Sequence, residues 1–358
     1  MREGFTVFDS RPRVNQKGDA TGRSLPRGGR PRWARGRRGC RAPPAVLGYS
    51  RPHDPRGAAV SLFHVASFDI EEHHRIEAAH GLSVPAQTRE EYARRMETVT
   101  RHLLAHLAAL DVKATFYVVG EIARTHPALV RDIRGAGHEV GSHSWDHRRV
   151  HAFTPESFRE DLQRSKEALE DVTGEAVVGF RAPTFSVVRK TAWAVDVLSE
   201  CGFEYDSSIF PVRHDRYGIP DAPRGPFLAR GERREILELP PLTYRRLGFN
   251  LPVAGGGYFR LFPLAVMRAG LRQNRRSATA TSPLVSMLYF HPWEFDPDQP
   301  RLPLGRVSRW RTYVGMRRTT ARLKSILHAY PFTRAIDAVR AIRASGVELP
   351  RYSVVQQT

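Results

Sequence analysis

The sequence predicts an α/β fold in which a parallel sheet, wound with helices, curls into a barrel. Two observations carry this expectation. From Ala59 onward, short β-type runs alternate with helical patterns over four or more units. Each run also leads into polar or ionisable residues at its C-terminal end, which gathers them on one rim, where barrel enzymes build their sites.

The elements follow in order. The first run, residues 62–69, ends in Asp69. Residues 90–110 place Met96, Val99, Leu103, Leu107 and Leu110 at three- and four-residue spacing, so one helical face is apolar. Residues 113–119 form a β-branched and aromatic run, 127–136 a helix stopped by Gly137, and 139–141 a short strand. Thr154 opens a helix with Pro155 at its first position, and Gly174 ends it before a strand at 177–180. A helix at 190–201 and a strand at 204–206 come next. Beyond Pro211 the chain reads as loops rich in Pro, Gly and Arg, until residues 236–239 and 285–290 give two more strands where the barrel closes.

Composition bounds the rest. With 358 residues, 41% of them hydrophobic and 26% charged, the chain can bury one large domain or two smaller ones. The longest apolar stretch, 103–110, is broken by His106 and falls short of the roughly 18–20 residues that cross a bilayer. Residues 1–55 hold no apolar run of the secretory kind, so the expected compartment is the cytoplasm, including the inner face of its membrane. Cys40 and Cys201 stand far apart with no paired spacing, which argues against a disulfide framework or zinc ribbon; Cys201 reads as a buried apolar residue.

The net charge of +19 is unevenly spread, since residues 1–58 hold 14 Lys+Arg against 4 Asp+Glu, with 9 Gly and 7 Pro. Such a segment cannot bury enough surface to offset its ordering entropy and reads as a disordered basic tail. It suits a solvated extension or a loose anchor to an anionic membrane or polymer. Its aromatics, Phe5, Phe8 and Trp33, are too sparse to stack on nucleic acid.

The strand ends give Asp69 and Glu71, then His143 and His147, then Arg181 and Pro183, then Asp206, and finally His291. His143 and His147, four apart, converge on one cation if the segment turns helically, and a carboxylate from Asp69 or Glu71 completes a three-ligand face. The plain reading of His-x-x-x-His is a pair of surface histidines. Asp69 changes the balance, because a carboxylate at the end of a buried parallel strand is costly unless a site uses it.

The segments Ser67-Phe-Asp-Ile-Glu71, Ala114-Thr-Phe-Tyr117, Gly137-His-Glu-Val-Gly-Ser-His-Ser-Trp-Asp-His147, Gly179-Phe-Arg-Ala-Pro183 and the closing His291 resemble the ordered motifs of NodB-homology polysaccharide deacetylases, carbohydrate esterase family 4. Residues 205–211, and the block from 255–260 through 289–295 to Arg322, further resemble the subgroup encoded with exosortase-linked exopolysaccharide clusters. The likeness spans about residues 62–333. Together with the tail (1–58), it divides the chain into a deacetylase domain (59–335) with a subgroup block (253–333) and a C-terminal extension (336–358).

The resemblance implies a distorted (β/α)7 barrel and metal-dependent removal of N-acetyl groups from an amino-sugar polysaccharide or its precursor. His143, His147 and Glu71 then hold a divalent ion, with zinc first and cobalt, manganese, iron or nickel as substitutes. Asp69 is the base, Arg181 holds it, and His291 protonates the leaving amine with Asp206 as the matching carboxylate. The N–H of Thr184 completes an oxyanion site; Tyr258 and Trp293 read either as stacking on a sugar face or as packing residues.

One departure stands out: the commonest first motif has adjacent aspartates, whereas Ile70 separates Asp69 from Glu71. The metal carboxylate therefore falls to Glu71, and strand alternation is taken to require that the strand end between the two. Glu72, His73 and His74 read as solvated loop or substrate contacts. The alternatives are hydrolysis of a small cyclic or linear amide on the same barrel, which the Asp-x-Glu variation allows, and a non-catalytic carbohydrate-binding scaffold.

Overall fold

A computed structural model describes residues 62–355; the tail at 1–58 lies outside the described residues. In chain order the strands are β1 (Leu62–Ile70), β2 (Thr115–Val118), β3 (Glu139–Ser142), β4 (Gly179–Phe180), β5 (Tyr205–Asp206), β6 (Phe227–Arg230), β7 (Glu235–Glu238), β8 (Thr243–Arg246), β9 (Phe249–Pro252), β10 (Leu284–Phe290), β11 (Phe332–Thr333) and β12 (Arg351–Ser353). The helices are α1 (Ala86–Ala109), α2 (Gly120–Thr125), α3 (Pro127–Gly135), α4 (Pro155–Thr173), α5 (Trp193–Glu200), α6 (Gly256–Leu261), α7 (Leu264–Ser277), α8 (Arg306–Tyr313), α9 (Thr319–Ala329) and α10 (Ala335–Ala344).

Seven parallel strands make the barrel wall, in the order β10-β1-β2-β3-β4-β5-β7. Just past β7, Pro241 bridges Met287 of β10, and this single bridge brings the wall round on itself. On its other side β7 pairs with antiparallel β6, which carries β12, so the wall branches there. The result is a curled parallel sheet with its seam between Pro241 and β10.

Strand alternation sorts the residues. In β1 the side chains of Ala66, Phe68 and Ile70 pack outward into the layer shared with the helices, beside Met96, Leu103 and Leu107 of α1. Phe63 and Val65 point inward and meet Tyr117, Tyr205, Val285 and Met287. The inward face of β1 therefore runs from apolar Phe63 and Val65 at the floor to Ser67 and Asp69 at the rim, and Glu71 continues the same series.

The floor is sealed by α10, whose Ala335, Ile336, Ala338, Val339 and Ile342 are buried against that inner cluster. Its first N–H groups are satisfied by barrel residues: Ala335 N donates to Thr115 Oγ1 and Ile336 N to Glu139 Oε2. The boundary placed after residue 335 thus cuts a helix that plugs the barrel, and the chain beyond it continues into β12 of the sheet.

Capping works as the sequence predicts at α4. Thr154 Oγ1 accepts from Ser157 N, Ser157 Oγ accepts from Thr154 N, and Gly174 closes the helix in the left-handed region at φ 68°. Thr154→Ala should lower stability by about 0.5–2 kcal/mol in a denaturant titration, with the slope of the transition unchanged.

Four expectations are corrected. The strand at 177–180 shortens to Gly179–Phe180, and the helix at 190–201 divides into a single turn at Arg189–Thr191 and α5. The stretch read as loops after Pro211 contains β6, the β8–β9 hairpin, α6 and α7. Cys201 is half-buried against the core rather than fully enclosed. No helix among the described residues is long and apolar enough to cross a membrane.

Candidate active site

The rim at the C-terminal ends of the barrel strands carries a cleft of about 650 Å³. Asp69, Glu71, His143, His147, Thr184, Tyr258, His291 and Trp293 all line it. Positions two apart on a strand share a face, so Asp69 and Glu71 reach the cleft together while Ile70 packs into the outer layer. The strand does end at Ile70, but alternation does not require it to. The Asp-x-Glu spacing delivers both carboxylates by itself.

Asp69 is held by Arg181, which is fully buried. Its Nη1 donates to Asp69 Oδ1 at 2.8 Å and to Ser67 Oγ at 2.7 Å, while Nε and Nη2 donate to the carbonyl and hydroxyl of Ser207. A guanidinium with every arm engaged cannot swing, so the carboxylate it holds keeps one orientation. The Tyr117 ring lies 4.2 Å from the guanidinium carbon and forms one wall of this pocket.

Glu71, His143 and His147 bring one ligand atom each to within 4.8 Å of one another. The His143–His147 segment does not turn helically, as expected above, but bends, with Ser144 and His147 at φ 66° and 68°. Asp161 fixes the bend by accepting from Ser144 Oγ at 2.7 Å and Trp145 N at 3.0 Å. His143 Nδ1 donates to the Arg181 carbonyl at 2.7 Å, which leaves Nε2 unprotonated and able to ligate.

Burial lowers the His143 pKa to about 4, with Asp69 opposing, so the ring is neutral at pH 7. Glu71 Oε2 touches His147 Nε2, yet is buried without a hydrogen-bond partner. Burial disfavours the Glu71 charge, but His147, His291 and His143 outweigh it and hold the carboxyl far below its usual range. A buried, ionised oxygen lacking a donor, facing two imidazoles, is a donor set that fits a divalent cation.

His291 follows β10 and faces the cleft, with Nε2 3.8 Å from Asp69 Oδ2 and 3.9 Å from Glu71 Oε1. Its Nδ1 donates to Glu294 Oε1 at 2.8 Å, and Glu294 Oε2 accepts from Arg260 Nε at 2.8 Å. Arg260 in turn donates to the carbonyls of Thr312 and Val314. Burial alone would lower the His291 pKa; the hydrogen bond to Glu294 and the charges of Glu71, Glu294 and Asp69 raise it to about 9.

Asp206 therefore does not partner His291. It is buried with Glu238, accepts from Ser207 N and Ser208 Oγ, and is pushed up to about 6, chiefly by burial. Glu238 is raised as well, by burial and by the neighbouring Asp206 charge, so the two carboxyls belong to one buried pair apart from His291. The signal for the true partner was local: in His291-Pro-Trp-Glu294, Pro292 starts a single helical turn at Pro292–Phe295 that folds Glu294 back onto the ring.

The remaining predicted residues divide. Thr184 lines the cleft with φ 56° and Phe185 follows at 51°, two non-glycine residues in the left-handed region. Tyr258 lines the far side. Trp293 is tied down, donating from Nε1 to Glu71 Oε1 at 3.1 Å and stacking on His291 at 5.3 Å. Glu72 and His73 are buried rather than solvated: Glu72 pairs with Arg75, and His73 Nε2 lies 2.9 Å from the Tyr313 hydroxyl, its pKa lowered to about 3 mainly by burial.

Residues 88–205 match the polysaccharide deacetylase family, and residues 207–340 match a domain of unknown function, DUF3473. The chain carries a polysaccharide deacetylase domain. Among curated proteins, the peptidoglycan-N-acetylglucosamine deacetylase PgdA of Listeria monocytogenes serotype 1/2a is 32% identical over 108 residues, 28% of this chain and 23% of that protein. The peptidoglycan deacetylase of Helicobacter pylori is 33% identical over 107 residues, covering 30% of this chain and 36% of its own. The chitooligosaccharide deacetylase of Rhizobium leguminosarum bv. trifolii is 32% identical over 100 residues, 28% and 44% of the two chains. The chain thus spans only 23–44% of the length of these relatives.

Solved structures share the fold of the deacetylase domain. A putative polysaccharide deacetylase from Mycobacterium smegmatis superposes with TM-score 0.55 at 22% identity, over 87% of this chain and 99% of that one. A probable polysaccharide deacetylase from Pseudomonas aeruginosa PAO1 gives 0.53 at 18%, over 85% and 98%. An allantoinase gives 0.53 at 17%, also over 85% and 98%. His143, His147, Arg181 and Thr184 lie in the deacetylase match, whereas His291, Glu294 and Arg260 lie in the domain of unknown function. That second segment closes the barrel through β10 and supplies His291 with its Glu294 and Arg260 backing.

Proposed function

We propose that the protein is a metal-dependent N-deacetylase acting on an amino-sugar polysaccharide or its precursor, in exopolysaccharide or cell-envelope assembly. One observation carries the proposal: the arginine-held Asp69, the Glu71-His143-His147 set and the Glu294-backed His291 face one another across a single cleft. These are the parts that amide hydrolysis needs. The names of the curated relatives support an acetylated amino sugar as the substrate class.

A divalent cation held by Glu71, His143 and His147, with zinc the first choice for two imidazoles and a carboxylate, supplies Lewis-acid polarisation of the acetyl carbonyl and eases deprotonation of water. The protein's own groups do the rest. Asp69, fixed by Arg181, accepts the proton of the attacking water. His291, protonated on both nitrogens, donates from Nε2 to the departing sugar nitrogen, while Glu294 takes up the imidazolium's other N–H. The N–H of Thr184 faces the developing oxyanion, and Tyr258 packs on the sugar.

The acid's role has a pH consequence. Since Glu294 helps raise His291, the rate should hold well past the ordinary 6.5 and fall on the alkaline side as pH rises through about 9, where His291 loses its proton. Glu294→Gln should move that alkaline limb to lower pH and leave the acid limb in place. The sign for stability follows: a raised histidine stabilises the fold fully below about pH 6.5, and this contribution is lost as pH rises through about 9. An unshifted alkaline limb in Glu294→Gln would remove His291 from the acid role.

The substrate class is tested by incubating the metal-loaded protein with an N-acetylglucosamine oligomer and, separately, with a small cyclic amide. Acetate and free amine from the oligomer support the proposal. Turnover of the cyclic amide alone would replace it with the small-amide reading.

A further inference from the structure

The region between Glu238 and Asp337 holds 16 Lys and Arg residues against three acids, Glu294, Asp296 and Asp298. Each of those acids is already paired with an arginine, Arg260, Arg95 and Arg317 respectively. All five exposed large hydrophobic residues among the described residues fall in the same region: Leu247, Phe249, Leu261, Val307 and Trp310. Exposed apolar side chains set among unbalanced arginines are the surface chemistry of a protein that rests on anionic lipid.

The β8–β9 hairpin makes the case most directly. Its two-residue turn, Leu247-Gly248, has φ of 48° and 81°, the pattern that favours Asn-Gly or Gly-Gly. A leucine there strains the backbone and is 86% exposed, with Phe249 beside it 70% exposed. Nothing among the described residues covers either side chain, and Arg245 and Arg246 precede them. A turn that sacrifices local fit to hold leucine and phenylalanine in water is explained if the tip has an apolar destination.

A second element repeats the chemistry. On α8, Val307 and Trp310 stand three residues apart on one face, 65% and 54% exposed, among Arg306, Arg309 and Arg311. Helix α8 lines the cleft, and the hairpin is tied to a segment that leads into it. Asn250 Nδ2, in β9, donates to the Pro211 carbonyl at 2.7 Å, and the chain just beyond, Arg213 to Tyr217, lines the same cleft as Ser308, Trp310 and Arg311.

We infer that the β8–β9 tip and α8 dock the protein on an anionic phospholipid surface, with Leu247 and Phe249 entering the headgroup–acyl boundary and the arginines meeting lipid phosphates. The apolar residues select this partner over a soluble polyanion, which has no use for an exposed leucine and phenylalanine. Docking of this kind brings the cleft beside the lipid headgroups, where a lipid-linked or membrane-tethered glycan is presented. The hairpin residues Arg245, Arg246, Leu247 and Phe249 do not line the cleft, so the tip can be altered apart from the reaction there.

The test is flotation of the full chain with vesicles of phosphatidylcholine alone or with about one third phosphatidylglycerol. Wild type should float with the anionic vesicles and not with the neutral ones. The double variant Leu247→Asn/Phe249→Ser should lose about tenfold or more in partitioning, while its unfolding temperature holds or rises because asparagine suits the turn. Arg245→Gln/Arg246→Gln should weaken binding and reduce its salt dependence. Failure of wild type to float would overturn the inference. So would a hairpin variant that binds as wild type does, since charge alone, residues 1–58 included, would then account for the adsorption.

Discussion

Asp69→Ala is expected to lose both the reaction and part of the fold. The rate should drop by about 10²–10⁴-fold, the usual contribution of a positioned general base. Stability should fall by about 3–5 kcal/mol, because Arg181 is left as an uncompensated charge in a fully buried site. Asp69→Asn separates the two effects. Its amide oxygen can still accept from Arg181 Nη1, so most of the stability returns, whereas an amide cannot take a proton from water and the rate stays low. Acetate release and denaturant titration of both variants check this; an asparagine variant with near-normal rate would remove Asp69 from the base role.

His143→Ala should abolish stoichiometric zinc binding and activity together, since no neighbouring side chain replaces its Nε2. Glu71→Gln should do the same, because the buried Oε2 is the one anionic ligand of the set. His291→Ala should behave differently, keeping the metal while losing most of the rate, because its ring is committed to Glu294 and the cleft. Calorimetric titration of zinc into chelator-treated protein, run beside the rate, distinguishes the cases. Undiminished binding by His143→Ala would place the cation elsewhere.

Much of this site was legible because its residues sit at strand ends, where two periodicities meet. The inward face of β1 carries Ser67, Asp69 and Glu71 at a spacing of two, and β10 leads through Tyr289 to His291 in the same way. What the sequence hid was long-range or conformational. Asp206 looked like the partner of His291 because both follow strands, but the partner lies three residues downstream on a turn set by Pro292. Arg260, which steadies that pair, comes from α6, a short helix with no amphipathic pattern long enough to read.

The hairpin and α7 escaped for a similar reason. Proline, glycine and arginine dominate 211–283, and hydrophobic periodicity is weak where an element has one face on the barrel and the other exposed. The last helix was assigned to an extension because nothing in its sequence says that the barrel floor is open. Its apolar face is explained only once Thr115 and Glu139 are found receiving its N-terminus.

The account's central claim is that one cleft, with a cation held by Glu71, His143 and His147, hydrolyses an N-acetyl group. It is tested most directly by acetate release from an N-acetylglucosamine oligomer using chelator-stripped protein, with and without added zinc, cobalt or manganese, and with Asp69→Asn as control. The account predicts no release from stripped protein, release restored by metal, and none from the control under any metal. Undiminished release without metal, or restored release from the Asp69→Asn protein, would contradict it.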